Sequence, residues 1–452
     1  MSKKTKDALV VGFALFAVFF GAGNLIFPPL VGVVSGSGWP AAIMGLMLSG
    51  ILLPIATIVA VDNMGGRFEQ LCRPVSGWFC SAYMVFFVIF ILTCGIPRQG
   101  GVGIETGLFS VFPILQGNRV AQLIGLLCYY VLVWIFTTRK SSFIDIIGKY
   151  LTPFLLVILL VIVAASVFAP IGTPVDTGHT GNFTYGFLQG YQTGDVAVGI
   201  VIAGTFIASI KSKGYEEKSA RTKAVTKAAI VALIGLLIVY GGLLYLGATG
   251  SGMFDSSMDQ TALLVALVEK CIGRVGTAAL GVGILLACLT TTIGVITTIA
   301  QLTETLTHGK LKLKTCILIY DVLGFLLATM GVAKVITYTY PVFVLIYPIA
   351  IVLTLLGCAR KLVPNHGAWK GTVLMSSLIG IYEAVVTMNG SNITNIHIPA
   401  LESLYAALPL SSYGFAWLLP CIIGFIVGAV IVKASIPCWK NPRNSNSMEA
   451  LL

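Results

Sequence analysis

Twelve apolar runs, each long enough to cross a bilayer, constrain this 452-residue chain more than any other feature. They open with Ala8–Val34, Pro40–Val61 and Gly77–Ile96, include Tyr185–Ile210 and Gly273–Leu302, and close with Tyr413–Val432. About 20 apolar residues carry a helix across the hydrocarbon core, where every backbone donor and acceptor must be satisfied inside the segment. Strands of a membrane barrel would alternate polar and apolar positions over about ten residues. These runs do not alternate, so the expected class is an all-α membrane protein of about 12 transmembrane helices in a lipid bilayer. Charged residues make up 10% of the chain and mean hydropathy is +0.95, which excludes a soluble enzyme and a disordered chain.

The net charge of +11 would suggest nucleic acid in a soluble protein. Here it reads as orientation, because Lys and Arg accumulate in cytoplasmic loops, and no nucleic-acid partner is expected. With the N-terminus inside, alternate loops place 23 basic residues in the cytoplasm and five outside: Arg98, Arg119, Lys270, Arg274 and Lys334. Both termini are therefore expected on the cytoplasmic side. The first run follows Lys3, Lys4 and Lys6 and is too long for a cleaved signal core, so it reads as a retained span. Ten Cys show no CxxC spacing and read as small buried hydrophobes. Arg98 and Glu105 flank a Gly-rich stretch after span three and read as an external ion pair.

Two runs are interrupted. Gly21-Ala22-Gly23-Asn24, followed by Pro28-Pro29, combines absent side chains, a hydrogen-bonding amide and missing backbone donors within span one. It is either an unwound segment lining a cavity or a kink with a tight helix contact. Gln189-Gly190-Tyr191-Gln192-Thr193-Gly194-Asp195 interrupts span six in the same way. The competing account there is a helix that simply starts near Val196 with Asp195 as its cap. Each interruption opens a set of five spans, and an odd number makes the second set enter from the opposite side. That gives an inverted repeat of residues 1–170 and 171–361, two peripheral spans over 362–436 and a tail over 437–452. Paired interruptions at corresponding positions point to a transporter binding site. In span eight, Thr290-Thr291-Thr292 either return their hydroxyls to carbonyls one turn back or offer oxygen to a small hard cation.

Phe20-Gly21-Ala22-Gly23-Asn24-Leu25-Ile26-Phe27-Pro28-Pro29 closely resembles the signature of the bacterial branched-chain amino acid:cation symporter family, within the amino acid-polyamine-cation superfamily. Gly190 to Asp195, Ile96-Pro97-Arg98 and Cys288-Leu289-Thr290-Thr291 add weaker matches, and the resemblance covers essentially the whole chain. It implies a leucine-transporter-like fold of five plus five inverted spans with two C-terminal helices and broken helices one and six. It also implies a substrate held by Gly21, Ala22, Gly23 and Asn24 against Gly190, Tyr191, Gln192 and Thr193. Pro28, Pro29, Gly194 and Asp195 would support the breaks. A coupling sodium would take carbonyls of Ala17, Phe20 and Ala287 and the hydroxyls of Thr290 and Thr291. A one-residue slip would substitute Cys288 and Thr292 for Ala287 and Thr290.

The expected function is import of leucine, isoleucine and valine across the bacterial cytoplasmic (inner) membrane by sodium symport with alternating access. Proton coupling or another small neutral amino acid is the competing reading. A channel would show a repeated pore loop or a charged ring. An enzyme is not expected: the four His lie in loops or near span ends with no metal-ligand pair, and no organic cofactor is implied. One methylene is worth only ~1–3 kcal/mol, so the three substrates should be poorly separated. Asp321 and Glu383, in spans nine and eleven, read as structurally paired or facing a cavity.

Overall fold

The computed structural model describes residues 9–13, 15–16, 19–21, 24–138, 142–212, 214–215 and 217–432, with backbone alone at 142–153, 205, 209 and 212. Among these residues the chain is helical and contains no strand. The expected tail over 437–452 lies outside the described residues. Helix occupies every one of the twelve apolar runs. Among the described residues, seven helices are individually long and apolar enough to cross a membrane, from Phe27–Met64 to His366–Gly390. Arg119–Thr138, at 20 residues, is about 30 Å long, the thickness of the hydrocarbon core.

Sequence periodicity explains which faces meet lipid. Ile124, Leu127, Val131 and Trp134 recur every three or four residues and are exposed. Leu374, Leu378 and Ile381 form a similar stripe on span eleven. Such stripes satisfy themselves against acyl chains, while the opposite faces form the protein core.

The packing order obeys a simple exchange. The second half of span one, Phe27–Ser35, packs on span seven, Lys218–Thr249; the first half of span six, Asn182–Tyr191, packs on span two at Trp39–Met47. Adding five to each number of the first pair gives the second pair read cyclically. Span five on seven corresponds to ten on two, and span five on eight to ten on three. Spans three with eight and four with nine map onto themselves. Two close crossings follow the same rule. A Cβ at Gly32 would collide with Leu244 O and one at Gly247 with Pro29 O, while one at Gly45 would collide with Phe183 O and one at Gly186 with Ala42 O. Small residues let these backbones touch, which is how helices associate without a hydrophobic driving force in lipid. Spans one, two, six and seven form one layer, and three, four, eight and nine another.

Two expectations about boundaries change. Span three does not end at Ile96 but continues helically from Gly77 to Val111 through π-turns at Ile91–Gly95 and Gly103–Leu108. The stretch after Ile96 read as a loop because it is polar and Gly-rich; it is buried in protein, where polarity has partners. Span eight begins at Gly273 as expected: there φ is 72° and ψ 176°, a break that separates it from a preceding helix that starts at Gln260. Span six has helix on both sides of its interruption, which removes the account in which it starts near Val196.

Candidate functional site

In span one residues 9–13, 15–16 and 19 are helical, Phe20 and Gly21 are not, and the chain turns through Asn24–Ile26 before Phe27–Ser35 begins. Pro28 and Pro29 lie in the first turn of that half-helix. A missing N–H costs nothing there, so the prolines start the second half rather than break the first. Phe20 stacks on Phe16 with ring centroids 5.0 Å apart. Ala17, Ala22 and Gly23 lie outside the described residues.

In span six the helix Asn182–Tyr191 gives way to a turn, and the second half starts at Asp195. Gly194 carries φ 75°, a left-handed conformation that glycine adopts without steric cost. The freed backbone is satisfied by side chains. Tyr347 of span ten donates its hydroxyl to Gly190 O at 3.1 Å, and Thr193 Oγ1 donates to the same carbonyl at 2.9 Å. The ring of Tyr191 stacks on that of Tyr347 at 4.4 Å. Asp195 N donates to Thr193 Oγ1 at 3.3 Å.

The two breaks are joined directly. Asn24 Nδ2 donates to Asp195 Oδ1 at 3.3 Å and Oδ2 at 3.2 Å. The third participant was expected elsewhere. Arg98 is not outside and does not pair with Glu105: it is 4% exposed and reaches from span three to both breaks. Its Nη1 donates to Gln192 O at 2.5 Å, and Nη2 lies 3.5 Å from Asn24 Oδ1. The guanidinium also lies over the rings of Phe27 and Phe343, at 5.3 and 5.4 Å from their centroids. Glu105 instead accepts from Gln122 Nε2 at 2.6 Å and from Val332 N at 3.1 Å. A buried charge without compensation is costly, so an arginine here requires the acceptors that the breaks expose.

These groups border a cavity of about 100 Å³ between the two layers. Gly21 and Asn24 from span one, Thr193, Gly194 and Asp195 from span six, and Thr291 from span eight all line it, with Arg98 and Gln99 from span three. Phe90, Ile91, Ile96, Val198, Val295 and Phe343 supply an apolar wall. Larger clefts beside His179 and beside Arg119 hold none of the residues expected in the site. The remaining site residues are near but engaged otherwise. Gly190 packs on Ser49 and Gly50 of span two, and Gln192 faces Arg98 through its carbonyl. In span eight, Thr290 returns its hydroxyl to Ala287 O at 3.0 Å, whereas Thr292, which also lines the cavity, shares a 2.8 Å hydrogen bond with the Tyr129 hydroxyl. Cys288 is buried where a Cβ at Gly103 would meet it at 3.3 Å.

Of the two outlying acids, Glu383 is paired, accepting from the Tyr405 hydroxyl at 3.3 Å. Asp321 is 6% exposed and its Oδ1 has no hydrogen-bond partner among the described residues. A further buried pair joins the cytoplasmic ends of spans two and seven: Arg221 Nε lies 2.6 Å from Asp62 Oδ1, and Thr222 Oγ1 donates to Asp62 Oδ2 at 2.8 Å. Hydropathy placed Arg98 outside, although it closes the Ile96-Pro97-Arg98 motif.

A family model described as branched-chain amino acid transport protein matches residues 4–435. Among curated relatives, the branched-chain amino acid permease BraB of Bacillus subtilis is 33% identical over 447 residues, covering 95% of this chain and 96% of the relative. The branched-chain amino acid transport system 2 carrier protein of Pseudomonas aeruginosa is 32% identical, covering 94% of this chain and 95% of its own length. Among solved structures, MhsT in complex with L-phenylalanine aligns with a TM-score of 0.56 at 16% identity, covering 95% of this chain and 99% of that one. Mhp1, a nucleobase-cation-symport-1 family transporter in a closed conformation with bromovinylhydantoin bound, aligns with a TM-score of 0.54 at 14% identity, covering 90% and 96%. At those identities the likeness shows the fold alone, the leucine-transporter-like class.

Proposed function

The chain belongs to the branched-chain amino acid transport protein family, and from that premise we propose that it imports leucine, isoleucine and valine by sodium symport with alternating access. It is a transport protein and not an enzyme. The observation that carries the substrate reading is a cavity lined both by residues of the two helix breaks and by the apolar side chains of Ile91, Val198, Val295 and Phe343. A zwitterion with an aliphatic tail needs polar groups at one end and an apolar pocket at the other. Half-helix ends and unwound backbone supply the first, since their partial charges attract carboxylate and ammonium groups.

The coupling ion is assigned to the span-eight side. Thr291 and Gly21 both line the cavity, and a hard cation prefers hydroxyl and carbonyl oxygen. In this reading Thr291, Thr290 and the carbonyls of Phe20 and Ala287 hold sodium, with Ala17 completing the set. The two layers meet at this cavity, so a rocking of spans one, two, six and seven against three, four, eight and nine opens it alternately to each side. Sodium stabilises the outward, substrate-competent arrangement because its ligands come from both layers. The termini and the loop between spans six and seven face the cytoplasm of a bacterial inner membrane.

Labelled leucine uptake into proteoliposomes tests the whole reading. An inward sodium gradient should drive accumulation above equilibrium, and isoleucine and valine should compete. Equal uptake in potassium-only buffer without a pH gradient would remove sodium from the mechanism. Accumulation driven by a pH gradient alone would assign coupling to the proton.

A further inference from the structure

Arg98 has more hydrogen-bonding capacity than the protein around it uses. A guanidinium carries five N–H donors and binds carboxylates side-on through two of them. Here Nη1 meets Gln192 O, Nη2 reaches Asn24 Oδ1 at the long distance of 3.5 Å, and Nε has no partner among the described residues. The next residue, Gln99, lines the same cavity, and its Oε1 is likewise buried without a partner among them. Arg98 is the one cationic side chain among the residues lining this cavity.

Asn24 fixes the spacing of charge. Its Oδ1 faces Arg98 and its Nδ2 faces Asp195, so a positive and a negative group stand one carboxamide apart on the cavity wall. An α-amino acid has its own opposite charges one carbon apart. Laid antiparallel to this pair, its carboxylate meets the guanidinium and its ammonium meets Asp195, while the side chain enters the wall of Ile91, Val198 and Phe343.

We propose that Arg98 is a direct ligand of the substrate carboxylate, and that Arg98 and Asp195 together select the α-amino acid zwitterion. This rests on the amino acid reading above and adds to it a charged pair, where backbone dipoles alone would otherwise bind the substrate. Arg98 donates to Gln192 O and reaches Asn24 Oδ1, and so bridges the two breaks. On binding, the carboxylate takes up the unused Nε and the weakly engaged Nη2 while Nη1 keeps Gln192 O, so the substrate adds a second link between span three and the breaks.

The test compares leucine with leucinamide, which keeps the tail and the ammonium and lacks the carboxylate. Affinities are read from ligand-dependent thermal stabilisation of the purified full-length protein at a pH where the leucinamide amine is protonated. Losing one partner of a buried charge pair should weaken leucine binding about 30-fold or more in Arg98→Gln, with leucinamide changed less than about threefold. Equal weakening of both ligands would make Arg98 a structural tether and overturn the proposal, as would no weakening of either. If Arg98→Gln does not fold, Arg98→Lys carries the test. The Lys ammonium cannot reproduce the two-donor contact, so leucine binding should weaken more than leucinamide binding in that variant; an equal change in both ligands, or no change in either, overturns the proposal. A wild-type protein that binds neither ligand would refute the amino acid reading itself, a result distinct from an unchanged ratio in the variants.

Discussion

Gly190→Ala probes whether the glycines at the span-six break serve packing or conformational freedom. Gly190 sits within the helix Asn182–Tyr191, and its backbone lies against the π-turn Leu48–Leu52 of span two. An added Cβ would overlap Ser49 Oγ and lie 2.9 Å from Gly50 N and 3.0 Å from Ser49 Cβ. Two of those three atoms cannot rotate away. The third can, at the expense of the hydrogen bond that Ser49 donates to Phe187 O at 2.6 Å. Overpacking of this kind costs about 1–3 kcal/mol and a broken buried hydrogen bond about 1–3 kcal/mol more, so the variant should lose roughly 2–6 kcal/mol. Thermal unfolding of the purified protein should shift down by several degrees at a fixed scan rate, since membrane-protein melting temperatures depend on that rate. Ser49→Gly in the same chain removes both the Oγ and the Cβ and leaves Gly50 N as the remaining close contact. The double variant should therefore be more stable than additivity predicts by about 1 kcal/mol or more, a coupling of the size that residues in contact show. Strictly additive losses would refute the packing account and return Gly190 to the role of loosening the helix.

Two further variants address the ion and the cytoplasmic end of the fold. Thr291→Val keeps the shape and removes one oxygen from the sodium ligands proposed here; the sodium concentration for half-maximal leucine uptake should rise about tenfold, which is ~1.4 kcal/mol for one ligand, and an unchanged sodium dependence would exclude this hydroxyl. Asp62→Ala removes one partner of the buried Asp62–Arg221 pair, which should cost about 3–5 kcal/mol and be visible as an early unfolding transition. A melting temperature equal to that of the wild type would show that the pair is replaceable by water or by other groups at that end.

Much of the fold was legible because lipid imposes a single rule along each span. Runs such as Val120–Thr137 and Tyr413–Val432 are apolar on the faces that meet acyl chains, and hydropathy reads that directly. The interruptions were legible for the complementary reason: Gly194 and the Gly21–Asn24 segment have no stable place in a lipid-facing helix, so their presence implies a protected environment. The helix entry at Pro28 and Pro29 was less transparent. Proline reads as a breaker along a sequence, yet in the first turn of Phe27–Ser35 it removes only donors that would have been unpaired.

The misplacement of Arg98 shows where that rule stops. Hydropathy scores a residue as if its surroundings were lipid or water, and Gly95–Gly107, with Arg98, Gln99 and Glu105, scores as water. Inside a bundle the surroundings are other helices, and there a polar residue is stable wherever a neighbour offers a partner. Arg98 finds such partners because spans one and six are unwound at its level, so the breaks and the buried arginine are conditions for each other. A sequence signal for this existed. Gly100, Gly103 and Gly107 recur at helical spacing, and each makes a close approach: to the Tyr130 hydroxyl at 2.6 Å, to Cys288 Cβ at 3.3 Å and to Leu285 Cβ at 2.9 Å from the position of an added Cβ. A face of glycines at intervals of three and four is a packing face of a helix, and a loop has no use for that periodicity. Reading span three onward through those glycines brings Arg98 into the membrane, opposite the two breaks, and leaves four basic residues outside against the 23 inside. The orientation inferred from charge then becomes sharper, and the charge taken from the outside becomes the counterpart of Asp195 in the cavity.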